Sequence, residues 1–76
     1  MIRKDYILTN HVRLRMKERN ISEKELEEVL KSPDFSYPGR RGEINVVKEI
    51  KDGKKVRITC VMERKKKIII TAMLID

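Results

Sequence analysis

The chain has one histidine, His11, and arginines follow it at the pitch of a helix. At 3.6 residues per turn, His11, Arg15 and Glu18 or Arg19 share one stripe, and Arg13 points elsewhere. Two guanidiniums beneath an imidazole suit a phosphodiester, because arginine donates in pairs to phosphate oxygens. A neutral imidazole accepts a proton, as a general base must. His11 falls in the first turn of its helix, where the positive end of the dipole favours the neutral ring. The same residues also fit a plain structural role, a helix-start histidine against a sheet edge with its arginines solvated or paired to Glu18. The sequence shows no Gly-rich phosphate loop, carboxylate cluster or Ser–His–Asp pattern, and one Cys (Cys60) with one His cannot build a zinc cage. Cleavage of RNA here would therefore proceed without metal or cofactor. The substrate's own 2′-hydroxyl would be the nucleophile, and His11, Arg15 and Arg19 the catalytic set.

A second group of cations lies later in the chain. Lys48 interrupts the apolar alternation of Ile44, Val46 and Ile50, and an inward lysine needs water, a carboxylate or a bound anion. It also fits an inward charge that blocks edge-to-edge association. Arg57 falls on the opposite face beside Val47, with Lys55 two residues along. Arg40-Arg41 and the run Arg64 to Lys67 are loop charges, suited to phosphate contacts without sequence choice. Arg13, Lys48, Lys55, Arg57, Arg40 and Arg41 form the expected nucleic-acid-binding set. Tyr6, Phe35 and Tyr37 are the only aromatics, few for a platform that reads bases by stacking.

These residues sit in 76 residues of net charge +7, the length of one small domain spanning 1–76. Residues 1–35 hold eight Lys/Arg against seven Asp/Glu, and residues 36–76 hold eleven against five. The electropositive half is the second, which suggests a polyanion such as RNA or another nucleic acid. Lysines that keep edge strands soluble fit the same asymmetry. No uninterrupted apolar run exceeds four residues (Ala72 to Ile75), which excludes a membrane helix. The first six residues lack the long apolar segment of a signal peptide, so the expected location is cytoplasmic. Glutamine is absent and Lys and Glu are abundant, a composition of thermophile type.

The elements that would position these groups are two helices and then a sheet. Thr9 or Asn10 caps a helix running to about Arg19, with Leu8, Val12 and Met16 on its apolar stripe and Asn20 at its end. Ser22 and Glu25 make a capping box for a second helix, Ile21 and Leu26 its hydrophobic staple, and Pro33 its stop. Residues 36–42 read as a loop or short edge piece. Strands follow at about 43–50, 54–63 and 67–75. A three-residue turn ending in a left-handed Gly53 segregates apolar from charged residues, pairing Val47 with Arg57 and Glu49 with Lys55. The last strand is apolar on both faces, which predicts cover from a further element or a second chain, as in a homodimer. Asp5 to Leu8 is a further candidate strand. The expected class is α+β, two N-terminal helices packed on a three- to four-stranded antiparallel sheet in two layers.

The run His11 to Ser22 reads His-x-x-x-Arg-Met-x-x-Arg-x-Ile before a Ser-capped acidic helix and Pro33. It resembles the signature of the domain-of-unknown-function 4258 family over residues 9–75. That family looks like a compact member of the RelE/ParE-type toxin superfamily. The resemblance implies a RelE-like fold and, by extension, a toxin-like metal-independent ribonuclease paired with a small acidic antitoxin. The matching motif residues are His11, Arg15 and Arg19. A non-catalytic basic domain that binds nucleic acid or another protein is the alternative.

Overall fold

The computed structural model describes residues 6–51 and 53–75. The reading of residues 1–5 as no signal peptide, Asp5 of the candidate strand and Asp52 of the turn lie outside them. The first helix, α1, spans Asn10–Glu18, and Thr9 caps it with its hydroxyl oxygen accepting the Val12 N–H at 3.2 Å. Val12 and Met16 form its buried side. Beyond it Asn20 turns left-handed (φ 57°). Asn20 N–H then bonds the Lys17 carbonyl and Ile21 N–H the Met16 carbonyl, the paired closure that satisfies terminal carbonyls.

Ser22 starts α2 (Glu23–Lys31) with both bonds of the capping box: Glu25 N–H to Ser22 Oγ at 3.1 Å and Ser22 N–H to Glu25 Oε1 at 2.9 Å. Ile21 and Leu26 are both buried beside the cap, as a staple requires. Lys54 Nζ reaches the same Glu25 carboxylate at 2.9 Å and the Asn20 carbonyl at 2.8 Å. One side chain thus ties the link between the helices to the sheet.

The sheet differs from the expected one. Five strands, not three or four, form it: β1 (Tyr6–Ile7), β2 (Phe35–Pro38), β3 (Ile44–Lys51), β4 (Lys54–Glu63) and β5 (Lys66–Ile75), in the order β1-β5-β4-β3-β2. It is mixed rather than antiparallel, because β1 runs parallel to β5. A parallel neighbour needs a long connection, and all of the chain between Ile7 and Lys66 supplies it. Nor do the helices precede the sheet, since they follow β1 and lead into β2. β1 falls within the candidate strand Asp5 to Leu8, and β2 overlaps the segment read as a loop or short edge piece; the sequence does not show how either pairs. β1 is too short to alternate, and β2 is exposed at all four residues and ends at Pro38, which an edge tolerates. The class remains α+β.

Helix α1 packs over β5, and α2 over β3 and β4. Val12, Met16, Ile21, Leu26 and Val29 meet Val46, Val56, Ile58, Cys60, Ile69 and Ala72 in one core. Burial pushes the Cys60 thiol above its ordinary range, so it is a small apolar core residue. The Tyr6 hydroxyl lies 2.8 Å from a Glu23 oxygen and 2.7 Å from a Glu27 oxygen. With one proton it donates to one of them at a time, holding β1 to α2. Burial first, and then these two carboxylates, push its ionisation far upward. Gly53 is left-handed (φ 78°), and the β3–β4 register is the expected one: Val47 beside Arg57, Lys48 beside Val56, Glu49 beside Lys55. Among the described residues no helix is long and apolar enough to cross a membrane.

The Glu25 carboxyl is held below its ordinary 4.5, first by the Ser22 backbone N–H and also by Lys54. A carboxyl that ionises more readily folded than unfolded stabilises fully above pH 4.5 and loses that effect as pH falls through the folded value. Thermal unfolding between about pH 7 and pH 3 is therefore expected to show a Tm that drops below pH 4.5. In Glu25→Gln the drop is shallower and the neutral-pH Tm lower. Equal acid sensitivity in the two proteins contradicts this role for the cap.

Candidate nucleic-acid interface

Alternation puts every second strand residue on the face away from the helices. The register lines these residues into two cross-strand rows. One row is Phe35, Val47, Arg57 and Met73. The next is Tyr37, Asn45, Thr59 and Thr71. Val47 is buried here although it is outside the main core, lying between Phe35 and Arg57 in its row. Asn45 and Thr59 are buried too, and the Thr59 hydroxyl donates to Asn45 Oδ1 at 2.6 Å. That bond satisfies two polar groups in the floor and fixes their rotamers.

Arg57 is the half-buried cation of this face. Its Nη1 donates to the Tyr37 hydroxyl at 3.4 Å and its Nη2 contacts Met73 Sδ at 2.6 Å. Its Nε is buried with no acceptor. Among the described residues no carboxylate pairs with it. Glu49, an acid on the same face, turns away to accept the Gly53 N–H at 3.1 Å. A phenol and a thioether are weak acceptors for a guanidinium, so most of the directional capacity of Arg57 is unspent. Tyr37 accepts from Arg57 and keeps its own O–H to donate. Phe35 and Tyr37 are exposed and stack with ring centroids 6.3 Å apart at 23°. An anion with an attached planar group fits this set: the anion on Arg57 and Tyr37 O–H, the plane on the rings.

The other expected residues divide between the two sides of the sheet. Lys55 is exposed on the open face beside Glu49 and Ile75. Arg40 and Arg41 are exposed in the β2–β3 turn. Lys48, on the helix face, finds a carboxylate, with its Nζ 3.7 Å from Asp34. Arg13 pairs with Glu23 at 3.2 Å. His11 is exposed in the first turn of α1, and no hydrogen bond or ion pair joins it to another described residue. Arg15 pairs with Glu18 at 3.4 Å, both about half exposed, an interaction worth at most about 1 kcal/mol. Arg19 turns inward, its Nη1 donating to the Ala72 carbonyl at 2.8 Å. Of the helix trio, then, His11 and Arg15 remain at the surface while Arg19 fastens α1 to β5. Arg57 stands on the opposite side of the sheet, so it cannot join them.

An open groove of about 780 Å³ runs between the helices and the β3–β4 end, lined by Arg13, Lys17, Glu23, Glu25, Glu28 and Lys54 among others. Its charges are mixed, and Arg13 and Lys54 are committed to Glu23 and Glu25. It is a poor anion site. No group of three His, Cys, Asp or Glu side chains able to hold a metal occurs among the described residues. Sequence reasoning missed the aromatic pair. Counting aromatics argued against stacking, whereas the Phe35-Ser36-Tyr37 spacing places both rings on one face of a strand.

Fold and face together define a small α+β domain with a mixed sheet, covered by helices on one side and basic and aromatic on the other. A family model described as Domain of unknown function (DUF4258) matches residues 8–74, and the chain belongs to that family. No curated protein and no solved structure matches it.

Because Arg19 bridges α1 to the β5 backbone, Arg19→Ala is expected to destabilise by about 1.5–3 kcal/mol, the range for a hydrogen bond from a charged donor. Urea unfolding measures this. An unchanged midpoint contradicts the anchoring role and returns Arg19 to the surface stripe.

Proposed function

We propose that this domain binds nucleic acid through the open face of its sheet, with Arg57 holding a phosphate and the Phe35–Tyr37 pair stacking on a base. One observation carries the reading: Arg57 has no carboxylate partner among the described residues and a buried Nε without an acceptor. A half-buried cation left this way destabilises the free protein, and a bound anion relieves it. The net charge of +7, concentrated in the sheet-forming half of the chain, supports a polyanionic ligand.

The test separates function from folding. Arg57→Met keeps the stem and removes the charge. It is expected to leave Tm unchanged or raise it, while weakening binding of a labelled single-stranded oligonucleotide at least ~10-fold. A Tm loss above ~5 °C, or unchanged binding, contradicts the proposal.

Cleavage is a second reading, favoured by the exposed position of His11 one turn before Arg15. On that reading His11 moves the proton, Arg15 leaves Glu18 to hold the phosphate, and Arg19 positions α1. The RelE/ParE-type placement, a toxin role and a small acidic antitoxin belong with it. RNA incubated with the protein in a metal chelator is then cut, and His11→Ala stops the cutting without altering Tm. Intact RNA removes this reading and leaves the binding one standing.

A further inference from the structure

The direction of the strands adds what the open face alone does not. β2 and β4 run toward one end of the sheet, and β3 and β5 return from it. The β2–β3 and β4–β5 turns therefore stand side by side at that end. They are two strand spacings apart across the sheet, and β4 runs three residues, about 10 Å, past the level of Ile44 before it turns. Arg40 and Arg41 lie in the first turn, and Arg64, Lys65 and Lys66 at the second. All five are exposed, and none makes an ion pair with another described residue.

The acids nearby make no ion pair with them, although Glu43, held below its ordinary range first by its own and the Arg41 backbone N–H, also feels the Arg41 charge. Glu43 folds back into its own turn, where its Oε1 accepts the Arg41 N–H at 2.7 Å and its backbone carbonyl accepts the Gly39 N–H at 2.7 Å. Gly39 leaves the space for that carboxylate, because a Cβ there would collide with the Glu43 side chain. The turn thus spends its acid on its own backbone and leaves both arginines unpaired. Glu63, the one acid of the second turn, stands opposite Lys66 in the register and makes no ion pair with a described residue.

From this placement we infer that the ligand is a single strand, laid from Arg57 and the Phe35–Tyr37 rings along the sheet to the twin basic turns. The inference rests on the binding role of Arg57 proposed above. From Arg57 to Glu63 is six residues of strand, about 20 Å, the length of no more than about six stacked nucleotides at 3.4 Å each. A duplex can lay phosphates on the turns. It cannot offer an unpaired base to the rings while a phosphate descends to the half-buried Arg57, since its bases are stacked on one another. The turns supply charge without geometry, so they add affinity and salt dependence, and the rings and Arg57 set the requirement for an unpaired strand.

Fluorescence anisotropy across a salt series tests this with an eight-nucleotide oligouridine, the matching oligodeoxythymidine and an RNA duplex of equal length. Either single strand is expected to bind at least ~10-fold tighter than the duplex. Replacing Arg40, Arg41, Arg64 and Lys65 by Ala is expected to lower the slope of log K against log salt by about 3, from ~0.7 per lost phosphate contact. Tyr37→Ala is expected to erase the preference for single strands. Equal affinity for the duplex, or an unchanged salt slope in the four-site variant, overturns the inference. If Arg57→Met still weakens binding in that case, the open-face reading survives alone. If Arg57→Met has no effect either, both fail.

Discussion

The strand register is the constraint on which the rest depends. Val47, Arg57 and Met73 lie in one row because β3, β4 and β5 pair as they do. A slip of one residue would drive Arg57 into the core and bring Val56 or Ile58 out to solvent. Both are fully buried against the helices, and each such side chain stabilises by about 1.5–3 kcal/mol. The core therefore holds Arg57 on the open face even though its own guanidinium has weak partners there. A charge that the fold does not need, held in place by residues that it does, is the physical basis for assigning that face a ligand.

The two faces treat their cations differently. Toward the helices, Arg13, Lys48 and Lys54 each meet a carboxylate, and Arg19 meets a carbonyl. These contacts close the structure: Lys54 joins the helix link to the sheet, and Arg19 joins α1 to β5. On the open face and at the twin turns, Arg57, Arg40, Arg41, Arg64, Lys65 and Lys66 make no ion pair with a described residue. The second-half cations without an ion pair to a described residue thus include Lys55 and Arg57 on the open face and Arg40, Arg41, Arg64, Lys65 and Lys66 at one end of the sheet.

Much of this was legible in the sequence. Thr9, Asn20 and the Ser22–Glu25 box marked the helix ends because caps are local chemistry. The hairpin register followed from Gly53 and from apolar alternation, and it placed Arg57 beside Val47 on the face away from the core. Of the edge strands, Asp5 to Leu8 was a candidate and residues 36–42 a loop or short edge piece, but how they pair was not legible. Parallel pairing of Tyr6–Ile7 with β5 is set by contacts 61 residues away, and exposed β2 has no buried side to betray it. The helix trio was legible only in part. Helical pitch puts His11, Arg15 and Arg19 on a stripe, but a long guanidinium goes where an acceptor waits, and for Arg19 that is the Ala72 carbonyl. Two aromatics look sparse in a count and become a stacked pair once β2 is known to be a strand.

The family match and the mixed sheet leave the ligand-binding side as the central claim. Amide and side-chain chemical shifts followed by NMR during titration with a short single-stranded oligonucleotide test it most directly. The account predicts that the shifted residues are Phe35, Tyr37, Arg57, Thr71 and the two basic turns, with α1 and α2 unmoved. Shifts gathered instead on His11, Arg15 and the rest of α1, or no shifts at saturating oligonucleotide, would contradict it.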